Sequence, residues 1–80
     1  MEFEIILKKL NDIFIDVFDD ENIKIDLNTY FTSLKDWDSL NHITLVSVIE
    51  SEFNVSFNIE DIPKLKNVNI IINQIMEKLK

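Results

Sequence analysis

The tripeptide Asp38-Ser39-Leu40 stands where an apolar run with helical spacing begins. Asp38 is a good N-cap for a helix that starts at Ser39, because its carboxylate can accept hydrogen bonds from the backbone N–H groups of Leu40 and Asn41. The Ser39 hydroxyl is then expected at the positive end of that helix, where unpaired N–H groups and the helix dipole both favour phosphate. A phosphodiester on Ser39 suits this position, and the alternative is that Ser39 only fills a helix start.

Ser39 and His42, the only histidine, also allow a hydrolase hypothesis in which the serine is the nucleophile and the imidazole is its base. The two residues lie three positions apart, on nearly the same helix face. The chain has no glycine, so it contains no Gly-x-Ser-x-Gly elbow and no glycine loop for an oxyanion site. We therefore expect a non-catalytic protein and interpret His42 as a surface residue that contributes to partner recognition.

An acidic segment offers a third kind of site, a divalent cation site formed by Asp19, Asp20, Glu21 and Asp26. Its spacing misses the calcium-loop pattern, and the central glycine which that pattern requires is absent. We predict a solvated acidic loop and no metal site.

Three amphipathic stretches predict the helices that position Ser39, at roughly residues 2–18, 39–53 and 68–79. The acids after residue 18 would lie at the negative end of the first helix, so we predict that the helix stops there. We predict that Asn54 ends the second helix and that Asn67 is the N-cap of the last. The only proline, Pro63, leaves room for no more than a short helical turn near residues 59–62. The apolar positions of the three stripes are Phe3, Ile6, Leu7, Leu10, Phe14 and Val17, then Leu40, Ile43, Leu45, Val46, Ile49 and Phe53, then Val68, Ile71, Ile72, Ile75 and Leu79.

Residues 19–37 have no strong helical period, and a brief strand-like alternation would leave one strand without a partner. We expect an ordered loop that its own apolar residues hold across the helices. Trp37 lies at the end of this loop. Its ring either closes the core where the chain enters the second helix or stacks on a group attached to Ser39 or on a partner protein, and the two roles are compatible. The loop residues expected to pack are Ile25, Leu27, Tyr30, Phe31 and Leu34.

Length and composition predict one globular domain over residues 1–80. A chain of 80 residues buries only about 60% of the surface that it exposes when unfolded. Hydrophobic residues make up 46% of the chain and charged residues 29%, which is ordinary for a globular domain. The absence of cysteine favours a reducing, cytoplasmic setting and leaves the chain without a thiol of its own. The first residues resemble neither a leader nor a membrane span, so we expect neither export nor a transmembrane segment.

The net charge of -7 limits the partners that the protein can bind. Negative charge repels phosphate backbones and anionic membrane surfaces, so nucleic acid is excluded as a partner. The same charge favours encounter with enzymes that present basic patches. A monomer is the default expectation for the chain itself.

The Asp38-Ser39-Leu40 motif and the helical pattern that follows it to residue 53 resemble the acyl carrier protein family, and the likeness covers nearly the whole chain. The resemblance implies an all-α four-helix bundle with three long helices and one short helix. It implies a 4'-phosphopantetheine arm on Ser39, with Asp38 orienting the modifying transferase and Leu40 anchoring the turn and helping to dock the arm. The thiol of such an arm would supply the sulfur for thioester chemistry.

The resemblance also implies the partners, which are a phosphopantetheinyl transferase and acyl ligases, acyltransferases or ketosynthases with basic docking patches. These enzymes would make and break the bonds while this protein holds the acyl intermediate as a thioester. The residues expected to form the partner-binding surface are Asp36, Trp37, Asn41, His42, Thr44, Glu50 and Glu52.

Departures from the family pattern bear on the subclass. Many fatty-acid carriers have a glycine shortly before the motif and a strongly acidic second helix, whereas this chain has Trp37 before the motif and His42, Thr44 and Ser47 where acids are common. We predict a dedicated carrier of acyl cargo for one biosynthetic pathway. The alternatives are a carrier for general fatty-acid synthesis and an unmodified helical module for protein interaction, in which Ser39 only starts a helix.

Overall fold

The computed structural model describes residues 2–34 and 37–79. In chain order the elements are α1 (Phe3–Phe18), a 3-10 turn (Phe31–Ser33), α2 (Ser39–Phe53), a short 3-10 helix (Ile59–Lys64) and α3 (Val68–Lys78). The predicted bounds of the three long helices agree with these within one residue, and the all-α bundle of three long helices and one short helix is confirmed. Within the described ranges, no helix is both long enough and apolar enough to cross a membrane.

Local capping sets the ends of the long helices. The N-cap of α3 is Asn67, whose side-chain oxygen accepts a hydrogen bond from the backbone N–H of Ile70 at 2.8 Å. Asp19 and Asn54 end α1 and α2 in the left-handed region, with φ of 51° and 55°. Glycine is the usual residue there, and in a chain without glycine aspartate and asparagine are the next most tolerant types. The predicted helix stops are therefore confirmed.

One face of each long helix contributes to a single hydrophobic core, which the connecting segments complete. The core side chains are Ile6, Leu10, Ile13, Phe14 and Phe18 of α1, Leu45, Val46, Ile49 and Phe53 of α2, Val68, Ile71, Ile72 and Ile75 of α3, and Ile25, Phe31, Phe57 and Leu65 between the helices. Ring contacts place the ends of α1 and α2. Lys9 lies over the ring of Phe53, while Phe14 contacts Phe31, which in turn contacts His42. Helix α1 is therefore antiparallel to α2.

Three residues assigned to the apolar stripes are exposed instead, namely Leu40, Ile43 and Leu79. Leu79 is the C-cap of α3, beyond the last packed turn. In α2 the buried row is 42, 45, 46, 49 and 53. Because position 42 of this row is polar, the apolar pattern of the sequence predicted the neighbouring row, through residues 40 and 43, as the buried one.

The loop after α1 is ordered, and a side chain of α1 holds it in place. Asn11 Oδ1 accepts a hydrogen bond from the backbone N–H of Ile25 at 2.8 Å, and Asn11 Nδ2 donates to the carbonyl of Ile23 at 3.4 Å. These two bonds satisfy backbone groups that a partnerless strand would leave unpaired. Ile25 is thereby buried against the helices, as predicted for a packed loop.

The end of the loop pairs with the segment before α3. The N–H of Phe31 donates to the carbonyl of Lys66 at 3.0 Å, and the N–H of Val68 donates to the carbonyl of Thr29 at 3.0 Å. Phe31 is buried, as predicted. The prediction that Tyr30 helps to hold the loop with its side chain is wrong, because the backbone pairing turns that side chain out to solvent.

The acidic loop uses its carboxylates to shape turns. Asp20 Oδ1 accepts a hydrogen bond from the backbone N–H of Asn22 at 2.9 Å, and Asp26 Oδ1 accepts from that of Asn28 at 2.8 Å. Each carboxylate thus closes a turn two residues ahead, which is a common use of aspartate in loops. In the described part of the chain, no three side chains of His, Cys, Asp or Glu come together as metal ligands.

Candidate functional site

Ser39 is the first residue of α2, and the preceding residue fixes the direction of the first turn. Asp38 has extended backbone angles, and its Oδ1 accepts a hydrogen bond from the N–H of Asn41 at 2.7 Å. Its carbonyl accepts the first intrahelical bond, from the N–H of His42 at 2.9 Å. Asp38 is therefore the N-cap, as predicted, and it determines where the Ser39 side chain leaves the helix.

The Ser39 side chain is exposed. Within residues 2–34 and 37–79, its hydroxyl has no hydrogen-bond partner. It lies at a helix N-terminus, where backbone N–H groups and the helix dipole favour an attached anion. The hydroxyl is thus both accessible for modification and placed where a phosphate is stabilised.

A cavity of about 580 Å³ lies beside Ser39, between the start of α2, the end of the long loop and the short 3-10 helix. This volume falls in the range of small-molecule sites. The wall is mostly aromatic and aliphatic, and its polar members are Thr32, Ser39, His42 and Lys66. The lining residues are Tyr30, Phe31, Thr32, Trp37, Ser39, His42, Ile43, Ile59, Ile62, Pro63, Leu65 and Lys66.

His42 is buried in this wall, with 7% of its surface exposed, so the prediction that it is a surface residue is wrong. Trp37 Nε1 donates to His42 Nδ1 at 3.3 Å, and His42 Nε2 lies 3.1 Å from the carbonyl oxygen of Ile62. Because the indole N–H can only donate, Nδ1 must accept and Nε2 must carry the proton and donate to Ile62. These bonds satisfy both polar atoms of the imidazole, which makes its burial possible.

The hydrogen bonds of His42 bear on the hydrolase hypothesis. A general base for Ser39 needs a ring nitrogen that is free to accept the serine proton. In His42, Nδ1 already accepts a hydrogen bond from Trp37, and Nε2 carries a proton and donates a hydrogen bond to the carbonyl of Ile62. The geometry therefore disfavours Ser39 as a nucleophile activated by His42.

Trp37 is half-buried and packs on the edge of the core. Its ring centroid lies 5.9 Å from that of His42 in an edge-to-face arrangement, and the indole also lines the cavity. This is the core-closing position that the sequence suggested. The same ring also forms part of the surface that a group in the cavity would touch.

Glu50 holds the segment that follows α2. Its Oε2 accepts a hydrogen bond from the backbone N–H of Phe57 at 2.9 Å, across a separation of seven residues. Phe57 is buried, so this bond helps to bring an aromatic side chain from the connection into the core. Glu50 therefore has a structural contact, in addition to its predicted place on a partner surface.

The other residues predicted to bind partners differ in exposure. Thr44 is exposed and its hydroxyl donates to the carbonyl of Leu40 at 3.1 Å, within the first turns of α2. Glu52 is exposed and Asn41 is half-buried. Asp36 lies outside the described residues.

Relatives of known identity show which family this chain belongs to. A curated relative from Petrotoga mobilis, named acyl carrier protein, is 32% identical over 74 residues, which are 92% of this chain and 87% of that protein. The chain belongs to the acyl carrier protein family. A second acyl carrier protein, from Cyanidium caldarium, is 32% identical over 76 residues, or 95% of this chain and 88% of that protein.

A solved member of the acyl carrier protein family has the same fold. The solution NMR structure of a holo acyl carrier protein from Geobacter metallireducens superposes with a TM-score of 0.83 at 34% identity, over 91% of this chain and 84% of that chain. No protein-family model matches the chain. The family that the sequence motif suggested is thus confirmed by full-length relatives and by the fold.

The sequence did not reveal the chain of hydrogen bonds from Trp37 through His42 to Ile62. One signal was available, since position 42 continues the row of Leu45, Val46 and Ile49 at helical spacing. The partner of His42 Nε2, however, is a backbone carbonyl 20 residues later in the chain, and the pattern of side chains in the sequence cannot predict such a contact.

Proposed function

We propose that the protein carries acyl intermediates as thioesters on a 4'-phosphopantetheine arm attached to Ser39. The observation that carries the proposal is the exposed hydroxyl of Ser39 at the start of α2, in a chain that belongs to the acyl carrier protein family. When bound, the arm supplies a terminal thiol, which a chain without cysteine does not have.

The residues around Ser39 fit such a group. Asp38 holds the first turn of α2 in place, so the phosphate end of an arm on Ser39 would lie against the N-terminal N–H groups of the helix. Ser39 also lines the cavity, together with Ile43, Ile62 and Trp37. Moving an apolar acyl group from water to such a wall lowers the free energy, which supports acyl cargo.

The protein's own role is to hold and present cargo without catalysing its chemistry. Both nitrogens of His42 are engaged in hydrogen bonds, which supports a structural imidazole. The partners that we propose are a phosphopantetheinyl transferase and the acyl ligases, acyltransferases or ketosynthases that load and use the arm. Residues 1–80 would act as one monomeric carrier domain in the cytoplasm.

The absence of charged residues from position 39 to position 49 favours a dedicated carrier for one biosynthetic pathway over a carrier for general fatty-acid synthesis. A carrier that serves many enzymes through basic docking patches needs acids on this helix, and here the first acid of α2 is Glu50. That side chain already accepts a hydrogen bond from Phe57.

The test is to incubate the apo protein with coenzyme A and a promiscuous phosphopantetheinyl transferase and to measure the intact mass. We expect the mass of one phosphopantetheinyl group to be added to the wild type, and none to Ser39→Ala. Ser47→Ala, which removes another exposed serine of α2, is the matched control and should be modified like the wild type. An unmodified wild type, or a mass gain that persists in Ser39→Ala, would instead favour an unmodified interaction module.

A further inference from the structure

Four large apolar side chains are exposed around Ser39, and we call them the rim patch. They are Tyr30, Leu40, Ile43 and Ile59, with 55%, 72%, 54% and 86% of their surface exposed. Tyr30, Ile43 and Ile59 line the same cavity as Ser39, while Leu40 follows Ser39 and lies one turn before Ile43. Single exposed apolar residues are ordinary, but a group of them around one position indicates a surface that another molecule covers.

The face of α2 beside this patch is uncharged. Residues 39–49 include no Asp, Glu, Lys or Arg, and the only ionisable side chain among them is His42, which is buried. The acids that flank this stretch, one at each end, each make a contact within the protein through one carboxylate oxygen. Asp38 caps the helix through the N–H of Asn41, and Glu50 accepts from the N–H of Phe57.

We propose that the rim patch is the docking surface for the enzymes that act at Ser39, and that their matching surface is apolar rather than basic. This inference rests on the proposed function. An enzyme that reaches the Ser39 hydroxyl must cover its neighbours, because side chains three or four residues apart on a helix lie only about 5–6 Å from each other. Ile43, four residues after Ser39, is therefore buried in any such complex and is stabilised by leaving water. Leu40 lies beside Ile43, three residues before it.

Charge argues for the same kind of partner. A basic patch placed over residues 39–49 would be removed from water without meeting an acid within that stretch, which is a net cost. The net charge of -7 still attracts a basic enzyme from a distance, but it acts on the rate of encounter more than on the contact itself. An apolar contact at Ser39 thus takes the place of the basic docking patches that the net charge suggested.

The test is to measure initial rates of modification by a phosphopantetheinyl transferase with coenzyme A, while the concentration of the apo carrier is varied. Ile43→Gln and Ile59→Gln should each raise KM for the carrier about tenfold, equivalent to about 1.4 kcal/mol, with little change in kcat. Ile5→Gln is the matched control, since Ile5 is 47% exposed on α1 and does not line the cavity. It should keep the wild-type KM.

Salt gives a second readout, because ions screen charge contacts and leave apolar contacts intact. Between about 0.05 and 0.5 M NaCl, we expect KM to change less than about threefold. Circular dichroism of each variant should match the wild type, because all three substituted residues are exposed.

The outcomes separate the two proposals. If the wild type is modified but the Ile43 and Ile59 variants keep its KM, or if KM rises steeply with salt, the rim patch is not the docking surface while attachment to Ser39 stands. If the wild type is not modified, both proposals fail. If sedimentation equilibrium detects a dimer that Ile43→Gln dissociates, a second copy of this chain covers the patch and the enzyme-docking proposal is wrong.

Discussion

Replacing Trp37 with phenylalanine would test the hydrogen-bond chain that joins α2 to the short 3-10 helix. The substitution keeps an aromatic ring at the edge of the core but removes the indole N–H that donates to His42 Nδ1. Nδ1 then becomes a buried acceptor without a partner, in a ring that is only 7% exposed. We expect Trp37→Phe to lower the free energy of unfolding.

The magnitude follows from the state of that acceptor. Leaving a buried polar group unsatisfied costs about 1–3 kcal/mol, and a bond of 3.3 Å with neutral partners belongs in the lower half of this range. We therefore expect a loss of about 1.5 kcal/mol. In a domain of this size, about 1 kcal/mol corresponds to a shift of roughly 4–8 °C in Tm, so the loss is easily measured.

The assay is urea unfolding followed by far-ultraviolet circular dichroism, because Trp37 is the only tryptophan and its removal eliminates the intrinsic fluorescence probe. A double-mutant cycle with His42→Leu identifies the cause. When His42 is already leucine, Trp37→Phe leaves no orphaned Nδ1, so its effect should shrink by about 1 kcal/mol. The reasoning is refuted if Trp37→Phe unfolds within about 0.3 kcal/mol of the wild type, or if the two effects are additive.

Three further changes in stability follow from the structure, each measured by urea unfolding. Asp38→Ala removes the N-cap of α2 and should cost about 1 kcal/mol, whereas Asp38→Asn keeps an acceptor and should lose much less; equal losses would contradict capping by the side chain. Asn11→Leu removes both side-chain hydrogen bonds to the loop and should lower the free energy of unfolding by about 1–3 kcal/mol. Hydrogen exchange should speed up at the Ile25 amide, and unchanged exchange there would show that other contacts hold the loop. Glu50→Ala leaves the backbone N–H of Phe57 without its acceptor and should lower the free energy of unfolding by about 1 kcal/mol. Glu52 is exposed, so Glu52→Ala should stay within about 0.5 kcal/mol of the wild type. Similar values for both variants would show that the hydrogen bond of Glu50 contributes nothing.

The helix bounds and the family could be read from the sequence because their determinants are local. Asp38 and Asn67 cap helices through N–H groups only three residues ahead, so the residue type and the apolar run after it are enough to place the start of a helix. The position of Ser39 behind its cap follows from the same local rule. The relatives then confirmed the family that this motif suggested.

The roles of two predicted surface residues depended on packing. His42 and Glu50 are polar, and spacing alone assigned them to the outside of α2. Their partners are backbone groups of Ile62 and Phe57, which come close only when the segment after α2 folds back over it. A polar side chain can be buried when such partners exist, and residue type cannot report whether they do.

The long helices, the caps of α2 and α3 and an exposed serine at the start of α2 follow from the sequence, since each depends on residues within about one helical turn. Which row of α2 faces inward depends on packing, and so do the burial of His42, the exposure of Ile43 and the cavity beside Ser39. The reason is that a helix with apolar residues on more than one row can bury any of them. The choice falls to the elements that pack against it, here α1, the end of the long loop and the short 3-10 helix.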